Sequence, residues 1–380
     1  MSGALTALTI EELRARRSTK WRHFGPDVLP LWVAEMDVAL APPVAAALHE
    51  AVERGDTGYP ELDDYAGAMA AFARRRWGWN ADAAAMAPVA DVMRGIVEVL
   101  ALLTSPGDCV VVNSPVYFPF YAFIAHSGRR VVEAPLGPDH RIDAAALDSA
   151  LAQAGAGGGR AALLLCNPHN PTGTVHTRDE LETAGALAFE HGVRVVVDEI
   201  HAPLVYEGHV HVPYLSLAVG ANAFTLLSAS KGWNLAGIKA ALAAAGPDAV
   251  DELATIPDAV RHGASHLGVI SHVAALELGE PWLDALIPEL DANRRLLGEL
   301  LAKHLPEARY SAPEGTYLAW IDCRALGLGD DPAAAFLERA GVALSAGPAF
   351  GTGGAGHARM NLATSPQIVS EAVERMAAAV

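Results

Sequence analysis

The chain has 380 residues, 52% hydrophobic and 19% charged, enough apolar material for about two to three domains and too apolar a mix for a disordered chain. The formal charge is −17, and an acidic surface repels phosphate backbones, which argues against general nucleic-acid binding. Four residues are lysine (Lys20, Lys231, Lys239 and Lys303) against 23 arginines, and two of the four lie eight residues apart.

Taken in chain order, the N-terminal MSGALTALTIEELRARR lacks a basic stretch followed by an apolar one, so it does not read as a secretory signal. No apolar run reaches the ~18 residues that span a bilayer; the richest candidate, 29–48, contains Glu35, Asp37 and three prolines. A soluble cytoplasmic protein is expected by elimination. Short branched runs then recur: CVVV (109–112), RVVEAPL (130–136), AALLLC (161–166), VRVVVDEI (193–200) and FTLLSAS (224–230). They read as buried strands. Between two of them, Thr177-Arg-Asp-Glu180 is a capping box opening a helix that stops at Gly192. Strand and helix alternating at this rhythm predict a mostly parallel sheet covered on both faces. From about residue 281 the texture changes to a long helix with Pro288 as a candidate kink, then strand (TYLAWIDC), helix, strand (ARMNLA) and helix. That predicts a smaller α+β domain, joined by the N-terminal segment. Cys109, Cys166 and Cys323 form no C-x-x-C pair, which argues against a disulfide framework or zinc knuckle.

In an open parallel sheet, ligands bind beyond the carboxyl ends of the strands. Three polar clusters fall there: Asn167-Pro-His-Asn-Pro-Thr-Gly173, Asp198-Glu199-Ile-His201 and Ser228-Ala-Ser-Lys231. Asp198 sits in an apolar run, and a buried carboxylate needs a partner. Alone, it would read as a loop cap, and Lys231 alone as a surface lysine. Two other patterns are declined. Gly351-Thr-Gly-Gly-Ala-Gly356 precedes a strand and not a helix, so it is not a dinucleotide fingerprint. His209-Val-His211 has no third ligand nearby and reads as a loop or strand face, so no metal is expected.

NPHNPTG, DEIH and SxSK followed eight residues on by Lys239, in that order, resemble the fold-type I pyridoxal-phosphate enzymes of the class I/II aminotransferase superfamily. The resemblance covers nearly the whole chain. It implies an α/β fold with a mostly parallel seven-stranded sheet. The large domain would span 45–283, and 1–44 with 284–380 would form the small α+β domain. It also implies the cofactor, which needs an amine that arginine cannot readily supply; Lys231 fits that role. Asp198 would keep the ring nitrogen protonated. Asn170 matches the donor to the ring 3-oxygen and Tyr117 the ring stacked on the cofactor face. Ser228, Lys239 and the amides of Val92 and Met93 match the phosphate contacts; lysine at 239 replaces the family's usual arginine. His201 stands where many aminotransferases carry tyrosine. Arg359, one of 23 arginines but in a strand-like context, matches the fork for a substrate carboxylate, and Ala34 and Asn170 complete the implied substrate contacts. Tyr59, in GYP, matches a tyrosine reaching the phosphate of a neighbouring subunit, which implies a homodimer with shared sites.

Subfamily marks include His169, His201, Lys20-Trp21, LPLWVAEMD and PEGTYLAWID. They look like the MalY/PatB branch of cystathionine β-lyase-type enzymes. The implied activity is C–S β-elimination from a small amino-acid substrate, with an aminotransferase as the alternative. A pyridoxal-phosphate-binding regulator is the third reading; the acidic balance and lack of a basic helix-turn-helix extension count against it. Two departures from the branch, Ala202-Pro203 after DEIH and Gly232-Trp233 after the lysine, are expected near the substrate.

Overall fold

The computed structural model describes residues 3–380. A seven-stranded sheet forms its centre. We number its strands β1 (Met86–Val89), β2 (Cys109–Val112), β3 (Arg130–Glu133), β4 (Ala161–Cys166), β5 (Arg194–Asp198), β6 (Phe224–Leu227) and β7 (Ala241–Ala245). Their spatial order is β1-β7-β6-β5-β4-β2-β3. All neighbours are parallel except β7, which runs antiparallel to both β1 and β6. β2, β4 and β6 are buried along their whole length because helices cover both faces. The five branched runs became β2 to β6. β1 and β7 are Met-Ala-Pro-Val and alanine-rich, with no strand signal of their own.

Local chemistry starts the helices that carry the site. Asp91 accepts a hydrogen bond from the Arg94 amide and opens the helix Val92–Leu103 directly after β1. That helix lies hard against the sheet at Gly95, where a Cβ would come within 2.6 Å of Leu226 and 2.9 Å of Val89. The Thr177 capping box is formed, and its helix ends at Glu190, just before Gly192.

The C-terminal part is built on a second, antiparallel sheet in the order Ser345–Ala346, His357–Asn361, Leu318–Asp322, Arg309–Tyr310. The helix Glu280–His304 is continuous across Pro288. The N-terminal segment joins this part: Leu29–Pro30 pairs in parallel with Val342–Ala343, and Leu13, Trp21, Leu29 and Leu31 share a core with Phe336 and Met360. Among the described residues, no helix is long and apolar enough to cross a membrane.

Candidate active site

A cavity of about 170 Å³ opens beyond the carboxyl ends of the central strands. Ten expected residues line it: Ala34, Val92, Met93, Tyr117, Asn170, Asp198, His201, Ser228, Lys231 and Lys239. All but Ala34, which comes from the N-terminal segment, arrive by a strand end or the connection after it. Asn170 follows β4, Asp198 ends β5, Ser228 and Lys231 follow β6, and Val92 and Met93 open the helix after β1.

Lys231 and Asp198 form the electrostatic centre. Burial and the charge of Arg359 push the Lys231 amine down to about 8, while Asp198 and Glu35 oppose that shift. The amine donates to the Ala34 carbonyl at 2.8 Å. Burial pushes Asp198 up to about 6, against the Ile200 amide, which donates to Oδ1 at 3.0 Å, and the charge of Lys231. His201 is held well below its usual range by burial and by Lys231 and Arg359, so its ring is neutral; its Nδ1 is buried without a partner. Tyr117 keeps its proton because burial raises its hydroxyl, with Arg359 opposing.

Arg359 lies behind Asn170 and does not line the cavity. It is 3% exposed, on the strand His357–Asn361. Nη1 donates to Asn170 Oδ1 at 3.0 Å, and Nη2 to Ser345 Oγ and the Trp32 carbonyl, both at 2.9 Å. The guanidinium carbon sits 5.1 Å from the Phe350 ring centroid, and Nε has no partner.

Where the helix Val92–Leu103 meets the cavity, Lys239 Nζ lies 2.5 Å from Asp91 Oδ2, with the lysine side chain 60% exposed. Ser228 Oγ donates to the Ala240 carbonyl at 2.8 Å and accepts from the Ser230 amide at 3.2 Å. Tyr59 is apart from all of this, 89% exposed.

The two departures are not on the cavity, contrary to expectation. Trp233 is fully buried in the core, edge-on to Phe72, with its indole N–H donating to the Gly279 carbonyl at 3.0 Å. Pro203 packs against Gly232, where a Cβ would stand 3.2 Å from it. They meet each other because the turns after β5 and β6 are neighbours. His169 is likewise a brace: its ring nitrogens lie 2.8 Å from the Pro115 carbonyl and 3.3 Å from that of Cys166. Glu199 turns away from Asp198 and accepts from Thr225 Oγ1 at 2.7 Å and the Tyr214 amide at 2.8 Å.

Sequence reasoning did not single out Asp91, Cys166, Ile200, Ser230, Ala236 or Ala240 as lining residues. Asp91 carried the clearest signal, an acidic N-cap beside two expected phosphate donors. Trp32 lay in the segment LPLWVAEMD, marked as a subfamily feature but not as a support of Arg359, and Ser345 carried no signal.

Comparison with known proteins identifies the family. A Mycobacterium leprae protein provisionally named cystathionine beta-lyase is 54% identical over 392 residues, covering 99% of this chain and 98% of that protein. A cystathionine beta-lyase of Corynebacterium glutamicum is 36% identical, covering 97% and 98%. The solved structure of cystalysin from Treponema denticola, which contains a pyridoxal 5′-phosphate cofactor, is 27% identical with a TM-score of 0.90, covering 100% and 99%. The model of the family described as aminotransferase class I and II matches residues 26–376, and the chain belongs to that family.

Proposed function

We propose that this chain is a pyridoxal-phosphate-dependent carbon–sulfur β-lyase that cleaves L-cystathionine or a related S-substituted cysteine to a thiol, pyruvate and ammonia. The observation that carries the reading is Lys231: a desolvated amine, held near 8, facing Asp198 in a cavity backed by Arg359.

The donor set fits the cofactor. Asp198, a buried carboxylate on the cavity wall, suits a protonated ring nitrogen. With Asn170 Oδ1 taken by Arg359, its amide N–H₂ remains for the 3-oxygen. The unpartnered Nδ1 of His201 is a second polar atom at that wall. Val92 and Met93 amides, Ser228 and Lys239 suit the phosphate, the helix end and the cation both favouring an anion. When bound, the cofactor supplies an electron sink for negative charge at the substrate Cα.

Every other task falls to the protein. Arg359 is the residue we assign to the substrate carboxylate; Asn170, Ser345 and Trp32 engage its fork behind the cavity wall, so binding would exchange one of those bonds for the carboxylate. Lys231 Nζ removes the Cα proton, and a depressed pKa suits an amine that must give and take a proton near neutrality. The sulfur then leaves Cβ as a thiolate, and the three-carbon remainder hydrolyses to pyruvate and ammonia. Tyr117 and neutral His201 enclose the reacting atoms without adding charge.

The proposed working unit is a cytoplasmic homodimer, with large domain 45–283 and small domain 1–44 plus 284–380. Exposed Tyr59 would reach the phosphate of a second copy, and three buried, unpaired cysteines suit a reducing compartment.

The test is purified holoenzyme with L-cystathionine and no added 2-oxo acid. Pyruvate, ammonia and free thiol in equal amounts are expected. Amino transfer appearing only once a 2-oxo acid is supplied would overturn the lyase reading in favour of an aminotransferase.

A further inference from the structure

The segment Trp32–Met36 belongs to no sheet, yet each of its five backbone carbonyls is capped by side chains from elsewhere. Trp32 takes Arg359 and Ser345; Val33 takes Asn361; Ala34 takes Lys231 and Tyr317. Glu35 takes Lys20 and Asn361, and Met36 takes Asn234 and Arg16. With no ladder to fix it, the strap takes its shape from these donors. Two of its carbonyls hold the two cations that the proposed reaction uses, Arg359 and Lys231.

One side chain spans the strap. Asn361 Nδ2 donates to the Val33 and Glu35 carbonyls, 2.7 Å each, on either side of Ala34. Its Oδ1 accepts from the Ala363 amide at 2.7 Å, and its own amide donates to the Leu31 carbonyl at 2.8 Å. It is fully buried, two residues from Arg359 on the same face of the strand His357–Asn361, and it does not line the cavity.

We propose that Asn361 is a positioning residue for the lyase reaction: by clamping the strap on both sides of Ala34, it fixes Lys231 and Arg359 in one relative geometry. The proposal rests on the roles given above to those two residues. Both hydrogens of one planar amide are committed, so the strap cannot shift toward or away from the strand without losing one bond. Catalytic geometry is intolerant of such shifts, a displacement of about 1 Å costing on the order of 100-fold in rate.

The test compares two matched substitutions in the holoenzyme. Asn361→Asp keeps the acceptor for Ala363 but turns the donor into a carboxylate oxygen facing two carbonyls. Asn293→Asp makes the same change at another fully buried asparagine, whose Nδ2 donates to the Leu362 and Thr364 carbonyls and not to the strap. Both variants should lose thermal stability. Only Asn361→Asp should shift the pH midpoint of the cofactor's visible absorbance, which reports on Lys231, and lower kcat/KM for L-cystathionine by roughly 100-fold. If Asn361→Asp does not fold, Asn361→Ala removes the donor without adding charge and is read the same way. An unchanged midpoint and kcat/KM, or equal changes in the Asn293 variant, would overturn the proposal. A wild-type enzyme that binds the cofactor but cleaves no cystathionine would instead sink the lyase reading, and the midpoint shift alone would then decide the role of Asn361.

Discussion

Lys20 Nζ lies 2.8 Å from Asp37 Oδ2, with both side chains sealed from solvent. The other carboxylate oxygen accepts from the Trp21 indole at 2.9 Å, and Lys20 also donates to the Glu35 carbonyl at 3.0 Å. The pair therefore pins the helix Thr19–Arg22 to the strap beside the active site. Lys20→Met leaves the Asp37 charge buried and unpaired, and should cost about 3–5 kcal/mol in urea unfolding. Adding Asp37→Leu should recover most of that loss. A single variant as stable as wild type would show that the pair carries no such strain.

Lys231 also sets a pH-dependent cost. Its amine is held near 8 in the fold against 10.5 in a free chain. The unfolded chain therefore binds more protons between those values, so stability rises with pH across that window and the penalty is fully present below pH 8. In the cofactor-free protein, Lys231→Met should raise the melting temperature at pH 7, and the gain should shrink as pH climbs toward 10.5. The same variant should lose cleavage activity and the visible absorbance of cofactor attached to the lysine. Absorbance surviving in Lys231→Met would refute the assignment.

Arg359→Lys keeps the charge but loses the planar fork and the bonds to Ser345 and Trp32. KM for L-cystathionine should rise by roughly 10-fold or more, the scale of one lost charge-assisted hydrogen bond. Cofactor content, read by absorbance, should stay near wild type. A KM unchanged in this variant would remove the carboxylate-binding role.

Gly351 has φ +87°, and a Cβ there would lie 1.9 Å from the Tyr121 hydroxyl and 2.2 Å from Glu133 Oε1. Those two groups are already bonded to each other at 2.5 Å, and Glu133 also receives Thr352. The latch docks the loop before Arg359's strand onto the edge strand β3 of the large sheet. Gly351→Ala should destabilise by about 3 kcal/mol or more, combining steric overlap with backbone strain. Tyr121→Phe in the same background should return part of it by deleting the clashing oxygen. A melting temperature unaltered by Gly351→Ala would contradict the close approach.

The strands legible in the sequence were those whose own side chains favour a buried, pleated surface. β4, Ala-Ala-Leu-Leu-Leu-Cys, is buried at every position. β7 is five residues of alanine and leucine; it is a strand because β1 and β6 flank it. The site divides in the same way. Asn170, Asp198, Ser228 and Lys231 sit in polar clusters at strand ends, where short-range pattern and topology agree. The supports of Arg359 did not announce themselves, because Ser345 and Trp32 are 313 positions apart and meet only when Leu29–Pro30 pairs with Val342–Ala343. Trp233 and Pro203 were expected at the substrate because they flank site residues; the backbone turns that place Lys231 and His201 in the cavity send these neighbours into the core.

The acceptor for Lys231 is a main-chain oxygen, that of Ala34, and it serves Tyr317 as well, at 3.0 Å. No exchange of the side chain at position 34 deletes that oxygen. An alanine scan would pass over the position, and a larger side chain there would narrow the cavity while leaving the contact in place. The burden of holding that oxygen falls on Asn361, Lys20 and Asp37, so mutational maps of the site should show intolerant residues that never touch a ligand.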